Sequence, residues 1–360
     1  MSRITIPIGP QHPLLKEPLS LVLEAIGERI VSASMRIGYV HRGIELLCQR
    51  RTYVQNVHLF ERVCGICSQV HTTAYCQAVE ALLGLEIPPR AAYIRVLMCE
   101  LERIHSHLLW LGVLAEAIGF TTIFMYAWRD REIVLDLMEE LSGGRVSHSA
   151  NIIGGVRIGV SSEQARLLEG QLATFAEQME FFRELLDRDR SFHRRTQNVG
   201  YMSLEMVHSY GVVGPAARSS GCTVDVRRAA PYAAYPSLAF EVISASEGDV
   251  WSRAQVRLME IMQSLSICNQ VIEALPGGPL AVGAPRRVPP GEVVTRCEAP
   301  RGELIYYVRS DGSERPARIK VRTPTLPMLM VISHLLPGLE TADVAAVMAG
   351  ADLCVACADR

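Results

Sequence analysis

The sequence predicts an α+β fold that is mainly helical, with small β-sheets formed near both ends of the chain. Apolar residues recur at helical spacing through long central segments, whereas short segments near either end carry the alternation and turn signals of β-hairpins. No linker or change of composition divides the chain, and 360 residues suffice for one large core. We therefore predict a single domain over residues 1–360.

The N-terminal segment is predicted to be β structure. Residues 3–8, RITIPI, alternate between polar and apolar side chains. Residues 19–37, LSLVLEAIGERIVSASMRI, have the pattern of a hairpin that turns at Gly27-Glu28. These strands are expected to form the first small sheet.

Helices are expected to dominate from about residue 51 onward. The longest periodic segment, residues 91–119, follows the helix breaker IPPR. Residues 161–189 open with a Ser-x-x-Gln arrangement that resembles a capping box. Residues 130–144 end in a Gly-Gly stop, and residues 248–275 stop at PGGP.

A second hairpin is predicted near the C-terminal end of the chain. A Pro/Gly-rich loop over residues 276–292 precedes it. Residues 302–322, GELIYYVRSDGSERPARIKVR, then alternate in polarity on both sides of Asp311-Gly312. This hairpin is expected to form the second small sheet.

Residues 107–128, HLLWLGVLAEAIGFTTIFMYAW, are long enough to span a membrane. Glu116 lies in the middle of this segment, and a carboxylate at the centre of a bilayer costs a few kcal/mol. We interpret the segment as a buried helix followed by a turn near Gly119. The chain is therefore expected to have no transmembrane segment, so any membrane role would come through partner subunits.

The charge balance argues against nucleic-acid binding. The formal net charge is −2, whereas neutralising phosphates requires an excess of lysine and arginine. The N-terminal sequence has no apolar run behind a basic one, so no signal peptide is predicted. The ten cysteines are accordingly expected in a reduced, cytosolic setting rather than in a disulfide framework.

Two Cys-x-x-Cys pairs are the most informative feature of the sequence. Cys64 and Cys67 form the first pair, and Cys354 and Cys357 form the second. Four thiolates suit a soft or borderline metal, but zinc ribbons separate their pairs by only about 15–20 residues. Spacing alone therefore leaves open a structural zinc site or two unrelated pairs. If the pairs share a metal, the fold must return the C-terminal segment to the core.

Polar residues beside the two pairs favour a catalytic site. His71 follows Cys67 by four residues, Arg301 lies in EAPRGEL, and Asp352 precedes Cys354 by two residues. A structural zinc site gains nothing from this set. A catalytic metal site gains a hydrogen-bond donor, a positive charge and a carboxylate that holds this charge in place.

The sequence resembles the large, catalytic subunit of [NiFe] hydrogenases, and within them the membrane-associated, energy-converting group related to respiratory complex I. The resemblance covers nearly the whole chain, and the combination of the R-x-C-G-x-C and D-x-C-x-x-C motifs is highly specific. The length matches members linked to CO dehydrogenase or ferredoxin. The resemblance implies the mainly helical large-subunit fold. It runs through GPQHPLLKEP, GYVHRGIE, RRTYVQNVHLFERVCGICSQVH, IPPRAAYIRVLMCELERIHSHLLWLG, GPAARSSG, EAPRGELIYYVRSDG and DLCVACADR.

The resemblance implies a nickel–iron centre. Cys64, Cys67, Cys354 and Cys357 would bind nickel, and Cys67 and Cys357 would also bridge to an iron that carries CO and CN⁻ ligands. The implied reaction is the reversible formation and cleavage of H₂ (2 H⁺ + 2 e⁻ = H₂). Cys354 would take the proton when H₂ is split.

The resemblance also assigns roles to residues around this centre. Glu17 in GPQHPLLKEP would relay the proton, with Glu45 in HRGIE as the competing candidate. Arg301 would hold its guanidinium over the open metal position, and Asp352 would pin Arg301 through a charge-assisted hydrogen bond. His71 would donate a hydrogen bond to the sulfur of Cys67.

Two positions depart from the family pattern. Leu353 stands where relatives usually carry proline, and Ala358 stands where they usually carry threonine. Losing the fixed φ of a proline is expected to loosen the turn before Cys354 without removing a ligand.

Partner subunits are implied because the remaining cysteines show no ligand spacing and are expected to be small buried side chains. The iron–sulfur cluster is therefore expected in a separate small subunit. Other hydrophilic and integral-membrane subunits, and a ferredoxin, CO dehydrogenase or formate dehydrogenase module, are the further expected partners. The chain would lie peripherally on the cytoplasmic face of the cell membrane. The six remaining cysteines are Cys48, Cys76, Cys99, Cys222, Cys268 and Cys297.

Three alternatives accompany the hydrogenase hypothesis. GPQHP, with His12, resembles the quinone-facing loop of a metal-free complex I-type subunit, but those subunits have lost the four cysteines. Sulfur-reducing relatives keep only the N-terminal pair intact. A zinc-stapled assembly subunit would leave Glu17, Arg301 and Asp352 unexplained.

Overall fold

The computed structural model describes residues 2–360 and shows a mixed α and β fold, about half of it helical. Its strands are β1 (Arg3–Ile8), β2 (Ser20–Ile26), β3 (Arg29–Arg36), β4 (Asn151–Ile152), β5 (Gly155–Val156), β6 (Gly291–Ala299), β7 (Gly302–Ser310) and β8 (Arg318–Arg322). Its helices are α1 (Ile44–Cys48), α2 (Tyr53–Glu61), α3 (Ser68–Leu83), α4 (Pro89–Ala117), α5 (Thr121–Ser142), α6 (Ser162–Arg188), α7 (Arg190–Thr196), α8 (Leu204–Tyr210), α9 (Gly214–Arg218), α10 (Val226–Ala229), α11 (Val250–Glu273), α12 (Thr325–Leu335), α13 (Val344–Gly350) and α14 (Val355–Asp359).

The first sheet has the antiparallel order β1-β2-β3, and it confirms the predicted N-terminal hairpin. The β2–β3 turn falls at Gly27-Glu28, where Gly27 takes the left-handed φ of +62° that this turn requires. The register shifts by one residue between Glu24 and Ala25, which is a β-bulge.

The second large sheet has the order β6-β7-β8, of which the sequence predicted only the β7–β8 hairpin. The additional strand, β6, pairs with β7 from Gly291↔Ser310 to Ala299↔Gly302. The turn between them consists of Pro300 and Arg301, so the extra strand fixes the position of Arg301. A two-stranded sheet, β4-β5, was also not predicted.

The long helices follow the predicted periodic segments, and their ends match the sequence signals. Helix α4 begins with Pro89 at its first position, where the missing N–H has no intrahelical partner to lose. Helix α6 carries the predicted capping box between Ser161 and Gln164.

The membrane-like segment, residues 107–128, is divided between α4 and α5, with Gly119 at a φ of +84° in the connection. Within residues 2–360, no helix has both the length and the apolar character needed to cross a bilayer. The division between α4 and α5 agrees with the predicted turn near Gly119.

Buried apolar side chains form two groups. The larger group surrounds α4 and includes inward-facing residues of α5, α6 and α11. The smaller group lies among α2, α3 and the β6–β8 sheet. The fold brings α14 to this smaller group, so the C-terminal cysteine pair enters the same cluster as the N-terminal pair.

Candidate metal centre

The two Cys-x-x-Cys pairs meet in one buried cluster. Cys64 lies in the turn after α2 and Cys67 caps α3, while Cys354 precedes α14 and Cys357 lies within it. The Cys64 and Cys354 sulfurs are 3.4 Å apart, and so are the Cys67 and Cys357 sulfurs. All four side chains are buried. The structure therefore joins cysteines that lie almost the whole chain apart in sequence.

The four thiols cannot all ionise without a compensating cation. Hydrogen bonds from Cys354 and Cys357 lower the pKa of the Cys64 thiol well below its ordinary value. Hydrogen bonding to Cys354 and Cys64 raises the pKa of Cys357 well above its ordinary value. A bound divalent metal removes this conflict because it neutralises several thiolates together.

The donor set fits a thiolate-bound metal. Cys64, Cys354 and Cys357 place their sulfurs within 4.8 Å of one another, as required of ligands to a single ion. A second group, made of Cys67, His71 and Cys357, meets the same limit, so Cys357 belongs to both. Two overlapping donor groups that share a sulfur suit two neighbouring metals as well as one.

His71 lies against the cluster on the side of Cys357. Its Nε2 is 3.5 Å from the Cys357 sulfur, and its Nδ1 is 2.7 Å from the hydroxyl of Tyr306. The structure thus gives the imidazole a hydrogen bond to Cys357, where the predicted partner was Cys67. Burial lowers the pKa of His71 to about 4, so the ring is neutral at pH 7.

Arg301 and Asp352 form the predicted pair. The Nε of Arg301 donates to the Asp352 carboxylate over 2.9 Å and to its backbone carbonyl over 3.0 Å. Asp352 has a φ of +50°, a left-handed conformation that Asp tolerates better than most residues. Arg257 lies on the other side of this carboxylate, 3.4 Å away. Asp352 is therefore held between two arginines.

One nitrogen of Arg301, Nη1, is buried and finds no hydrogen-bond partner within residues 2–360. Burial opposes the charge of Arg301, but Asp352 and then Cys354 outweigh it and raise the pKa well above its ordinary value. The guanidinium is therefore a permanent cation. Arg301 and Cys354 line the same cavity. An unpaired guanidinium N–H near these thiols would suit an anionic or polar ligand of a metal held by them.

Glu17 reaches the C-terminal cysteine segment from the loop between β1 and β2. Its carboxylate accepts the N–H groups of Val355 and Ala356, the latter over 3.2 Å. Burial and then the negative charge of Cys64 raise the pKa of Glu17, although these backbone donors oppose the rise. The structure therefore places a carboxyl with a raised pKa against the segment that carries Cys354.

A cavity of about 640 Å³ opens beside Glu17 and Cys354. Its lining is mainly apolar and includes Trp110 of α4. Lys16 and Glu116 bridge its edge with an ion pair of 2.5 Å, and both side chains are about half exposed. The cavity joins the cluster to the outside of the chain.

Glu45 has a different environment from Glu17. Its carboxylate binds Lys320 and Arg360, each over 2.9 Å, and accepts the N–H of Val321. Burial opposes ionisation, but the bond from Lys320 and then those from Val321 and Arg360 lower the pKa of Glu45. Glu45 is consequently ionised, and its carboxylate binds Arg360 beside the cysteine segment.

The two departures from the family pattern are accommodated. Leu353 is partly buried and packs against the larger core, while Ala358 is buried. The backbone N–H of Cys354 donates to the hydroxyl of Thr325 over 3.2 Å. This bond, with those to Glu17, fixes the turn in which the proline is missing.

The other six cysteines are free, and five of them are buried as predicted. Cys222 is the exception, because its side chain is only partly buried. Burial raises the pKa of Cys48 and of Cys99 to about 12, as expected of inert packing residues.

Sequence reasoning missed three residues that hold this site. Tyr306 binds His71, Arg257 binds Asp352, and Glu102 accepts the N–H groups of Gln69 and Val70 at the start of α3. Burial raises the pKa of Glu102 well above its ordinary value. A signal for Glu102 was the run ELER, which places three charges in the middle of a long, mainly apolar helix.

Comparisons with known proteins place these features in a family. Residues 117–287 and 281–360 match the family model described as the 49 Kd subunit of respiratory-chain NADH dehydrogenase. The carbon monoxide-induced hydrogenase of Rhodospirillum rubrum is 39% identical over 361 residues, which cover 100% of both chains. A subunit of the NADH-quinone oxidoreductase of Campylobacter jejuni is 36% identical, with 100% of this chain and 95% of that protein aligned.

A solved structure shares the fold. A chain of the membrane-bound sulfane sulfur reductase, an archaeal respiratory membrane complex, superimposes with a TM-score of 0.94 at 33% identity. The match covers 100% of this chain and 98% of the other. It confirms the mixed α and β class with small sheets.

Proposed function

The chain belongs to the family of the 49 kDa subunit of respiratory-chain NADH dehydrogenase, and within this family we propose that it is the catalytic subunit of a membrane-associated [NiFe] hydrogenase. Its reaction would be the reversible formation and cleavage of H₂. The observation that carries the proposal is the buried cluster of four cysteine sulfurs, assembled from both ends of the chain. The similarity to a carbon monoxide-induced hydrogenase over its full length supports it.

In this proposal the cysteines hold a nickel–iron centre. Cys64, Cys67, Cys354 and Cys357 would bind nickel, and Cys67 and Cys357 would also bind an iron with CO and CN⁻ ligands. The overlapping donor groups around Cys357 suit this arrangement. When bound, the centre supplies heterolytic H₂ chemistry and exchanges two electrons with the iron–sulfur small subunit.

The proton route begins at Cys354 and continues to Glu17. With the centre bound, the sulfur of Cys354 would be the group that accepts the proton when H₂ is cleaved and returns it when H₂ is formed. Glu17 is suited to receive it next, because its raised pKa allows the carboxyl to cycle between its two forms. From Glu17 the proton would reach solvent through the cavity that Glu17 and Cys354 both line.

Arg301 and His71 set the charge around the centre. The free Nη1 of Arg301 stabilises negative charge that develops on a ligand, and Asp352 fixes its direction. As a donor to the Cys357 sulfur, which lies 3.5 Å from its Nε2, His71 would withdraw electron density from that sulfur.

The chain would work as a peripheral subunit at the cytoplasmic face of the membrane. An iron–sulfur small subunit would exchange its electrons, and integral-membrane subunits would couple the reaction to ion translocation. The names of its relatives support this setting, because they include a membrane-bound hydrogenase and a respiratory membrane complex.

Infrared spectroscopy combined with metal analysis of the purified complex tests this proposal. We expect one nickel per chain and absorption bands from iron-bound CO and CN⁻. Zinc in place of nickel, without these bands, would reject the hydrogenase and favour a structural zinc site.

A second candidate is a metal-free quinone-site subunit, as in the NADH-quinone oxidoreductases of the family. The apolar cavity of about 640 Å³ beside Glu17 favours it, since such a space suits an apolar ring with a polar edge. Trp110 and Trp128 both line this cavity, so a short-chain quinone bound there should quench their fluorescence. Saturable quenching without bound nickel would establish this candidate instead.

A further inference from the structure

Tyr306 is a buried residue of β7. It forms a hydrogen bond with His71 but with none of the four cysteines of the cluster. Its side chain has no exposed surface, and its ring meets His71 edge-on, with 5.9 Å between the ring centres. Its hydroxyl lies 2.7 Å from Nδ1 of His71. The phenol therefore binds the imidazole nitrogen that faces away from the cluster.

An imidazole that carries one hydrogen can donate from only one of its two nitrogens, and both nitrogens of His71 face hydrogen-bonding groups. If that hydrogen were on Nδ1, it would point to the oxygen of Tyr306, and Nε2 would face the Cys357 sulfur as a bare lone pair. With Cys357 as a metal-bound thiolate, the sulfur is itself an acceptor, so this arrangement would set two lone pairs against each other over 3.5 Å.

The opposite arrangement satisfies both groups. When Tyr306 donates its O–H to Nδ1, the ring hydrogen is on Nε2 and points to the sulfur of Cys357. The phenol hydrogen then has an acceptor, and within residues 2–360 His71 Nδ1 is the acceptor that its side chain contacts. Leaving this hydrogen unpaired in the core would be unfavourable.

We propose that Tyr306 is a positioning residue that holds His71 in the Nε2–H form and so secures the hydrogen bond to the Cys357 sulfur. This inference rests on the proposed nickel–iron site for its consequence, because the bond withdraws electron density from a sulfur that would bridge the two metals. The tautomer itself also follows from the phenol hydrogen of Tyr306, for which His71 Nδ1 is the acceptor contacted within residues 2–360.

Tyr306→Phe isolates the hydroxyl, since it keeps the ring that packs edge-on against Phe60. The chain offers a matched control in Tyr75→Phe. Tyr75 is equally buried in the same aromatic group and donates a hydroxyl hydrogen bond of 3.0 Å to the Tyr53 carbonyl, away from His71. Each variant loses one hydrogen bond of a buried hydroxyl, but only Tyr306→Phe removes the hydrogen-bond partner of the His71 imidazole.

Infrared spectra of the purified complex give the first test. In Tyr306→Phe we expect unchanged nickel content and a CO band at lower wavenumber, because a more electron-rich sulfur increases donation from iron to CO. Tyr75→Phe should leave the band in place. Adding Tyr306→Phe to His71→Phe should cause no further shift, since the imidazole is already absent. An unshifted band in Tyr306→Phe, or an equal shift in Tyr75→Phe, overturns the inference.

Solid-state NMR of the complex labelled with ¹⁵N-histidine gives a second test that needs no iron-bound CO. His71 should show a protonated Nε2 and an unprotonated Nδ1, and Tyr306→Phe should populate the other tautomer. His71 with its hydrogen on Nδ1, or an Nε2–H form that Tyr306→Phe leaves unchanged, refutes the role of Tyr306. Absence of CO bands from the unmodified complex would instead refute the hydrogenase, and this tautomer test would still stand.

Discussion

At the residue scale, Glu17 and Glu45 show how partners decide the chemistry of a carboxylate. Both lie near the C-terminal cysteine segment, and both were candidates for the proton relay. Glu45 is fixed in its ionised form by Lys320 and Arg360. Within residues 2–360, the hydrogen bonds to the Glu17 carboxylate come from two backbone N–H groups, and the pKa of Glu17 is raised rather than lowered.

We predict that Glu17→Gln abolishes most H₂ turnover and proton–deuterium exchange while nickel stays bound. Glutamine keeps the shape and an acceptor for the Val355 and Ala356 N–H groups, but it cannot carry the proton. Losses of about 10²–10⁴-fold are typical when a general acid–base residue is removed. Exchange rates and nickel content of the same sample check this expectation.

Glu116→Gln is the matched comparison, because Glu116 lines the same cavity but lies at its half-exposed edge. It should keep most of the turnover. If Glu17→Gln retains full turnover, Glu17 is not the relay. Full loss in Glu45→Gln with nickel retained would then make Glu45 the relay.

Arg301→Lys is predicted to keep nickel but slow the reaction by about 10²-fold, the typical cost of losing one preorganised donor. A lysine can reach Asp352 or the open side of the site, whereas the arginine fork serves both. Turnover per bound nickel measures the effect. Arg287→Lys in an exposed loop is the control. Unchanged turnover in Arg301→Lys would show that the free Nη1 has no role.

At the scale of elements, the segment of residues 38–45, which leads into α1, binds α14 through several hydrogen bonds that together form a clamp. The Asp359 carboxylate accepts the N–H groups of Gly38 and Val40 over 2.7 and 3.1 Å. Arg42 donates to the carbonyl of Ala356 over 3.0 Å, and Glu45 binds Arg360. These bonds hold the helix that carries Cys357.

We predict that Asp359→Asn loosens this clamp. The amide lacks the charge that strengthens the two backbone bonds, and a loss of about 1.5–3 kcal/mol is typical of hydrogen bonds to charged groups. Amide hydrogen exchange in residues 353–360 should therefore accelerate by at least about tenfold. Glu340→Gln, at an exposed position, should leave this exchange unchanged. Equal protection in Asp359→Asn would show that the clamp contributes nothing.

The elements also show what local sequence can predict. Helices α4, α6 and α11 can be recognised from periodicity and end signals that lie within each segment. Strand β6 was missed for two reasons. Its first residues fall at the end of the Pro/Gly-rich segment, and its strand conformation is stabilised by pairing with β7. Pairing of this kind is a property of two segments, so one segment alone does not reveal it.

At the scale of the whole molecule, the site depends on contacts between distant parts of the chain. Motif spacing identified the cysteines, Arg301, Asp352 and His71 as candidates, and the structure brings them together. Motif spacing could not show that His71 faces Cys357 or that Tyr306 binds the other side of the imidazole. Side-chain direction is set by packing around α3 and β7. The resemblance to a family supplied the roles, whereas the geometry supplies the partners.

Buried histidines give the molecule a predictable response to acid. Burial lowers the pKa of His105 to about 3 and that of His107 to about 4, below the value of about 6.5 for a free histidine. Between these values the unfolded chain binds more protons than the folded chain, so stability falls as the pH falls. Each histidine contributes a slope of up to about 1.4 kcal/mol per pH unit.

We therefore predict that the thermal unfolding temperature of the protein decreases markedly from pH 7.5 to pH 5. His105 accepts from Arg131 and binds the Ile66 carbonyl, so its neutral form is the one that fits. His105→Gln should reduce the slope of stability against pH by up to about 1.4 kcal/mol per pH unit, the contribution of one histidine. His58→Gln, at an exposed position, should leave the slope unchanged. A transition temperature that stays constant between pH 7.5 and 5 would contradict the neutral, buried state of these histidines.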